Sequence, residues 1–218
     1  MAQPPAHETA RNLMVDTQVR PNQVNDRRII AAMRQLPRED FAPAGAQAYA
    51  DADIALGNGR YLLAPMLIAR LTQLVMADNP VHVLVVGAGA GYGAAILSLS
   101  GAHVVALENE VSLTSPALGK CAAGVESVTG PLLNGWPAAC PYDVILIEGA
   151  VAKLPSNFAG QLKPGGRIVS ILADLPEPSG LGRAVIATQS GDGFATSPVF
   201  DCTARVIPAF LPAPSFAF

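Results

Sequence analysis

The 218 residues carry a formal charge of −3; half are hydrophobic and 14% are charged, against about 25% in an average domain. That balance excludes a disordered chain and, with no basic cluster longer than Arg27-Arg28, gives no electrostatic reason to expect nucleic acid as a partner. The length suits one substantial core rather than two full domains.

From the N-terminus, residues up to about Ala6 are Pro-rich and are expected to fray. Residues 8–19 and 24–36 read as helices. In the second, Ile29, Ile30, Met33 and Leu36 share one face, opposite Asp26, Arg27, Arg28 and Arg34, with Asn22 or Asn25 as candidate cap. The phrase Pro37-Arg38-Glu39-Asp40-Phe41-Ala42-Pro43 breaks it, and 49–59 is turn-rich, with Asp51, Asp53 and Gly57-Asn58-Gly59. A strong amphipathic helix over Pro65–Met76 follows, its proline suited to the first turn.

Residues 81–93, VHVLVVGAGAGYG, organise the chain. Val81 and Val83 to Val86 form a β-branched, uncharged run that reads as a strand buried on both faces. It breaks at Gly87-Ala88-Gly89-Ala90-Gly91, and 92–100 has helix-compatible apolar spacing. Such glycines let the backbone turn tightly and bring amides close to a ligand. A second strand over 104–107 ends on Glu108, where a carboxylate in an open α/β sheet faces the ribose of an adenosine-containing cofactor. No formally charged residue lies between Asp78 and Glu108, a length that invites a membrane-span reading. Pro80, His82, His103 and the glycines instead divide it into strand, turn, helix, turn and strand.

A short helix over 116–123, a strand over 125–128 and a deeply buried strand over 142–147, ending at Glu148, come next. A helix over 154–162 stops at Lys163-Pro164-Gly165-Gly166 and feeds a strand over 167–172; strands over 184–188 and 195–206 flank a hairpin turn at 189–193. The tail from Pro208 is too Pro-rich for helix or strand and is expected to lie along the body or a partner subunit. Alternating strands and helices specify a mostly parallel sheet with helices on both faces and an antiparallel closing edge. Cys121, Cys140 and Cys202 have no ligand spacing and read as thiols of a reducing compartment. With no signal-like N-terminus, cytoplasm is the expected location. No metal constellation is expected, none of the three histidines is assigned a catalytic role, and Trp136 reads as a packing residue.

The glycine spacing is GxGxGxG, with Tyr92 where a nicotinamide fingerprint has its last glycine, which favours S-adenosylmethionine over a nicotinamide. The segments VHVLVVGAGAGYGAA, VVALE, Asn134-Gly135-Trp136-Pro137, PYDVILIEGA and QLKPGGRIV follow the order and spacing of class I methyltransferases. With MVDTQVR, AAMRQLPREDFAP, AYADADIALGNGRYLLAP and RVIPAF, the chain resembles protein-L-isoaspartate O-methyltransferases over nearly its full length. The resemblance implies a Rossmann-like α/β class I methyltransferase fold: a mostly parallel seven-stranded sheet, helices on both faces and an N-terminal helical extension. It divides one domain into a helical segment with the acceptor-side loop (1–65) and the methyltransferase core with its tail (66–218). It implies S-adenosylmethionine as methyl donor and isoaspartyl carboxylates of damaged proteins as acceptors. The cofactor-side candidates are Gly87, Ala88, Gly89, Gly91 and Glu108, with Tyr92 either packing the cofactor loop or contacting the methionine part.

Three polar positions of that family differ. Tyr61-Leu62-Leu63-Ala64-Pro65 stands where members read like Thr-Ile-Ser-x-Pro, so Leu63 takes the serine position. Val85 replaces an acid two residues before the first glycine, and Thr129-Gly130-Pro131 replaces Gly-Asp-Gly. Two compensations are open. Arg60 can grip an acceptor carboxylate through its guanidinium, a solvated loop arginine being the alternative. Glu148 can take the cofactor-binding role of the acid absent at Val85, a partner for Lys153 being the alternative. Two functions follow: a carboxyl methyltransferase with an altered acceptor site, or a non-catalytic descendant that keeps the fold for binding or assembly.

Overall fold

The uncharged run after Asp78 becomes the centre of a sheet because alternate residues of each strand bury opposite ways. In this computed structural model, which describes residues 6–174 and 180–212, β3 (His82–Val86) lies between β4 (His103–Glu108) and β6 (Tyr142–Val151). Both pairings are parallel, with Val86 opposite Leu107 on one side and Ile147 on the other. Val83 and Val85 join one apolar cluster while Leu84 and Val86 join a second on the opposite face.

Labelled in chain order, the other elements are α1 (Ala6–Met14), α2 (Arg27–Gln35), β1 (Ile54–Gly57), β2 (Arg60–Leu62), α3 (Pro65–Met76), α4 (Tyr92–Leu99), α5 (Pro116–Cys121), β5 (Val125–Thr129), β7 (Leu162–Ala173), β8 (Leu181–Ser190) and β9 (Gly193–Thr203). The sheet runs β5-β4-β3-β6-β7-β8-β9. Its parallel part ends at β7, and β8 and β9 close the edge as an antiparallel hairpin with Ser190 opposite Gly193. This is the seven-stranded, mostly parallel sheet expected from the sequence. Side chains from α2, α3, α4 and α5 fill the first cluster. Phe158, Leu132 and Phe210, on short 3-10 turns, help fill the second.

Several local expectations change. The helix expected over 8–19 is α-helical to Met14, continues as a π turn over Val15–Val19 and ends in a 3-10 turn over Arg20–Asn22, where Pro21 cannot continue the amide ladder. The cap of α2 is Asp26, not Asn22 or Asn25: its carboxylate accepts the Arg28 amide at 2.8 Å and also pairs with the Arg28 guanidinium. The helix expected over 154–162 is a 3-10 turn, Ser156–Gln161. The turn-rich 49–59 stretch contains half of a small hairpin, β1 pairing antiparallel with β2. The fraying expected of the first residues, and most of the tail, lie outside the described residues; Pro208–Phe210 forms a 3-10 turn with Phe210 buried. Among the described residues no helix is long and apolar enough to cross a membrane.

Candidate active site

The first glycine turn sits at the C-terminal end of β3, where ligands bind in open α/β sheets. Gly87, Gly89 and Gly91 all have left-handed φ, +72°, +53° and +90°, conformations that L side chains rarely adopt. The Gly87 and Ala88 amides bond the Leu107 carbonyl at 2.9 and 3.1 Å, tying the turn to β4. Gly91 precedes the first residue of α4, so the turn leads directly into a helix N-terminus.

Glu108 closes β4 beside this turn. Its Oε2 accepts the Gly89 amide at 2.7 Å and its Oε1 accepts the Asn109 amide at 2.9 Å. The carboxylate therefore faces the glycine turn. It also pairs with Arg60: Nη1 donates to Oε1 at 3.5 Å and Nη2 lies 3.2 Å from Oε2 as an ion pair. The same guanidinium donates to the Gly87 carbonyl. Both side chains of the pair are 4% exposed.

Glu148 lies at the other side of the turn, near the end of β6, where Gly149 (φ +153°) interrupts the β6–β7 register. Its Oε2 is buried without a hydrogen-bond partner and lies 2.3 Å from where a Cβ on Gly93 would be. Burial pushes its carboxyl up to about 8; the Arg60 charge opposes that and the Glu108 charge reinforces it. Glu148 is thus turned toward the start of α4.

Tyr92, a candidate for either loop packing or cofactor contact, is fully buried. Its ring meets Phe41 edge-on at 5.4 Å and lies 4.9 Å beneath the Arg38 guanidinium, while its hydroxyl has no hydrogen-bond partner. Leu63 is buried in the main core and its carbonyl accepts from Arg38 Nη2 at 2.6 Å. Tyr61 is stacked beneath Arg205 at 5.0 Å. Asp53 accepts the Ala64 amide at 2.7 Å, shaping the entry into α3, and burial raises its carboxyl above the ordinary range. Trp136 packs over Gly130, just after β5, in keeping with a packing role.

Sequence reasoning did not anticipate the side chains that cover the turn. A Cβ on Gly87 would lie 2.8 Å from Arg60 Nη2 and 3.1 Å from Ile207 Cδ1; one on Gly89 would lie 3.1 Å from Leu56 Cδ1; one on Gly91 would lie 2.6 Å from Leu118 Cδ2. Ile207 is held there because the 205–207 segment bonds to Ala150 of β6 through both its backbone groups, at 3.2 and 2.9 Å. All residues from Gly87 to Gly93 are buried. A surface cavity of about 290 Å³, lined by Lys153, Asp192 and Phe194 among others, shares no residue with the turn. Arg38 is the other unanticipated group: it is fully buried, bonds the Ala48 and Leu63 carbonyls, and leaves Nη1 without a partner. Arg38 stands in a charged phrase, Arg38-Glu39-Asp40, so nothing local in the sequence marks it for burial.

The polar groups of this site fit an S-adenosyl group: a carboxylate at the end of β4, a turn that carries no side chain bulkier than a methyl from Gly87 to Gly91, and a second carboxyl with an orphaned oxygen. The space above Gly87, however, is taken by Arg60. Among the described residues no cluster of His, Cys, Asp and Glu has the makings of a metal site.

Comparison with known proteins agrees with the geometry. Residues 9–175 match the family model of protein-L-isoaspartate(D-aspartate) O-methyltransferase. The chain is 36% identical over 170 residues to the protein-L-isoaspartate O-methyltransferase of Methylorubrum extorquens, covering 76% of this chain and 75% of the relative. It is 32% identical over 192 residues to protein-L-isoaspartate O-methyltransferase 2 of Shewanella sediminis, covering 85% and 77%. A solved protein-L-isoaspartate O-methyltransferase superposes with a TM-score of 0.75 at 22% identity, covering 92% of this chain and 65% of that one. A putative protein-L-isoaspartate O-methyltransferase from Plasmodium falciparum, solved in complex with S-adenosyl-L-homocysteine, gives 0.72 at 14% identity, covering 94% and 100%. The fold is that of the superposed structures, and the chain belongs to the protein-L-isoaspartate(D-aspartate) O-methyltransferase family.

Proposed function

We propose that the protein is an S-adenosylmethionine-dependent carboxyl methyltransferase acting on isoaspartyl carboxylates of damaged proteins, with an altered acceptor side. The observation that carries this reading is Glu108, closing the second parallel strand and hydrogen-bonded to the Gly89 amide of the glycine turn. The cofactor supplies a methyl group on a sulfonium centre.

Glu108 would hold the ribose, and Gly87, Ala88, Gly89 and Gly91 would lie along the cofactor with no side chain bulkier than a methyl. Glu148 would offer its orphaned oxygen from the other side. Held protonated near neutral pH by burial, it can donate a hydrogen bond and does not repel an anionic acceptor. Carboxyl methylation needs little proton transfer, since the acceptor is already anionic. The protein's work is positioning and exclusion of water. Leu63 offers an acceptor no hydroxyl, and a carboxylate set against it without a hydrogen bond loses about 1–3 kcal/mol. At about 1.4 kcal/mol per decade, that slows transfer by one or two decades without abolishing it.

Three unpaired cysteines favour the cytoplasm as location, and the segment to residue 65 is read as part of the same domain as the core. Nothing in the charge balance favours a nucleic-acid partner. The test is transfer of labelled methyl from S-adenosylmethionine to an isoaspartyl peptide, scored against its aspartyl twin. Incorporation into the first alone is expected; no incorporation into either removes the reading.

The second reading, a family member retained for binding or assembly, is favoured by one observation. The cradle is filled by the protein's own Arg60.

A further inference from the structure

We propose that Arg60 is an internal competitor for the cofactor cradle: its guanidinium occupies the acceptors and the space that an S-adenosyl ligand needs, so it determines how tightly that ligand binds. This rests on the methyltransferase reading above.

The hairpin delivers Arg60 inward. Gly57, Asn58 and Gly59 have φ of +100°, +51° and +69°, and this tight turn places Arg60 facing the protein interior, with Tyr61 half-buried and Leu62 buried again. The hairpin is pinned from above. Pro208 packs against Gly59, where a Cβ would lie 2.7 Å from its Cγ, and the adjacent Ile207 packs on Gly87 and Gly149. The β1–β2 hairpin and the 205–210 segment therefore close over the turn together.

The guanidinium does there what a ligand's donors would do. It donates to Glu108 Oε1 and to the Gly87 carbonyl and sets its charge 3.2 Å from Oε2, whereas a ribose would offer Glu108 two hydroxyls. With the Gly89 and Asn109 amides, Oε1 accepts two hydrogen bonds and Oε2 accepts one, with Arg60 Nη2 3.2 Å from Oε2 as an ion pair. The carboxylate is thus already paired with a cation at the face where a ligand's hydroxyls would have to approach. The missing Cβ of Gly87, which in a nucleotide turn admits the ligand, admits Arg60 Nη2.

Arginine stays charged in proteins, so this pair cannot relax by losing a proton. The guanidinium either remains on Glu108 or swings out to water. A ligand binds only the second arrangement, and its apparent affinity is reduced by the fraction of molecules that adopt it.

The experiment is calorimetric titration of the full chain with S-adenosylhomocysteine, comparing the unmodified protein with Arg60→Ala and Arg60→Lys, each checked for a cooperative thermal transition. Arg60→Ala is expected to bind about tenfold or more tightly than the unmodified protein. Arg60→Lys, which keeps a charge for Glu108 but lacks the planar fork, is expected to fall between them; it serves alone if the alanine variant does not fold. Adding Glu108→Gln to Arg60→Ala is expected to remove the gain. Equal affinity in all three proteins overturns the proposal and leaves the methyltransferase reading standing. Weaker binding by the Arg60 variants also overturns it, making Arg60 a cofactor contact. Absence of binding by folded Arg60→Ala and by the unmodified protein overturns both.

Discussion

The Arg60 guanidinium lies across the Glu108 carboxylate, Nη2 3.2 Å from Oε2 and Nη1 3.5 Å from Oε1, with both side chains 4% exposed. A hairpin otherwise outside the sheet is thereby joined to the last residue of its second strand. Removing one member of a buried pair strands the other charge, at about 3–5 kcal/mol. Glu108→Ala should therefore lower stability by about that amount in urea denaturation, and Arg60→Ala/Glu108→Ala should lose less than the sum of the single changes. Additive losses would mean that the two groups do not interact in solution.

Glu148 gives the protein a pH signature. Its carboxyl ionises near 8 in the folded chain against an ordinary 4.5, because burial disfavours the anion. The folded state then binds the proton more tightly than the unfolded state. The stability associated with the neutral acid is complete below about 4.5 and is lost as pH rises through about 8. The slope between those values is about 1.4 kcal/mol per pH unit. Glu148→Gln, neutral throughout, should flatten it, as read from urea midpoints across that range. An unchanged slope in the variant would assign the effect to other groups.

Leu63→Ser restores a hydroxyl at the family's serine position and should separate stability from activity. Leu63 is buried in the core, so shortening it should cost about 2–5 kcal/mol in denaturant unfolding. The hydroxyl should raise kcat/KM for an isoaspartyl peptide by about one decade, provided the variant is assayed where it remains folded. A loss of stability with no gain in transfer would remove Leu63 from the acceptor site.

Gly91→Ala tests the turn itself. Gly91 has φ of +90°, and a Cβ there would lie 2.6 Å from Leu118 Cδ2. Left-handed backbone costs an L residue about 1–2 kcal/mol, and displacement of Leu118 adds to that. A melting temperature equal to that of the unmodified protein would show that the turn relaxes without strain.

Much of this molecule is determined locally. The β-branched run before Gly87 has to be a strand, and its lack of charge requires burial on both faces. The glycines must turn the chain, and Glu108, at the end of the next strand, must come to lie beside them, since parallel neighbours start in register. Glu148 reaches the same end of the sheet because β6 pairs beside β3. The period behind those relations is written in nearest-neighbour chemistry, and the strand order comes with the fold that the motifs carry.

Occupancy of the cradle is of another kind. Arg60 and Leu56 of one hairpin, Leu118 and Ile207 come from three separate stretches of the chain, and nothing in the residues around any one of them indicates where it will pack. The sequence left Arg60 between an acceptor grip and a solvated loop residue. The fold sets it on Glu108 because the β1–β2 turn aims it inward and the 205–210 segment holds the hairpin down. Buried charge must find its opposite, but which opposite it finds is decided only when distant segments close over the same few ångströms.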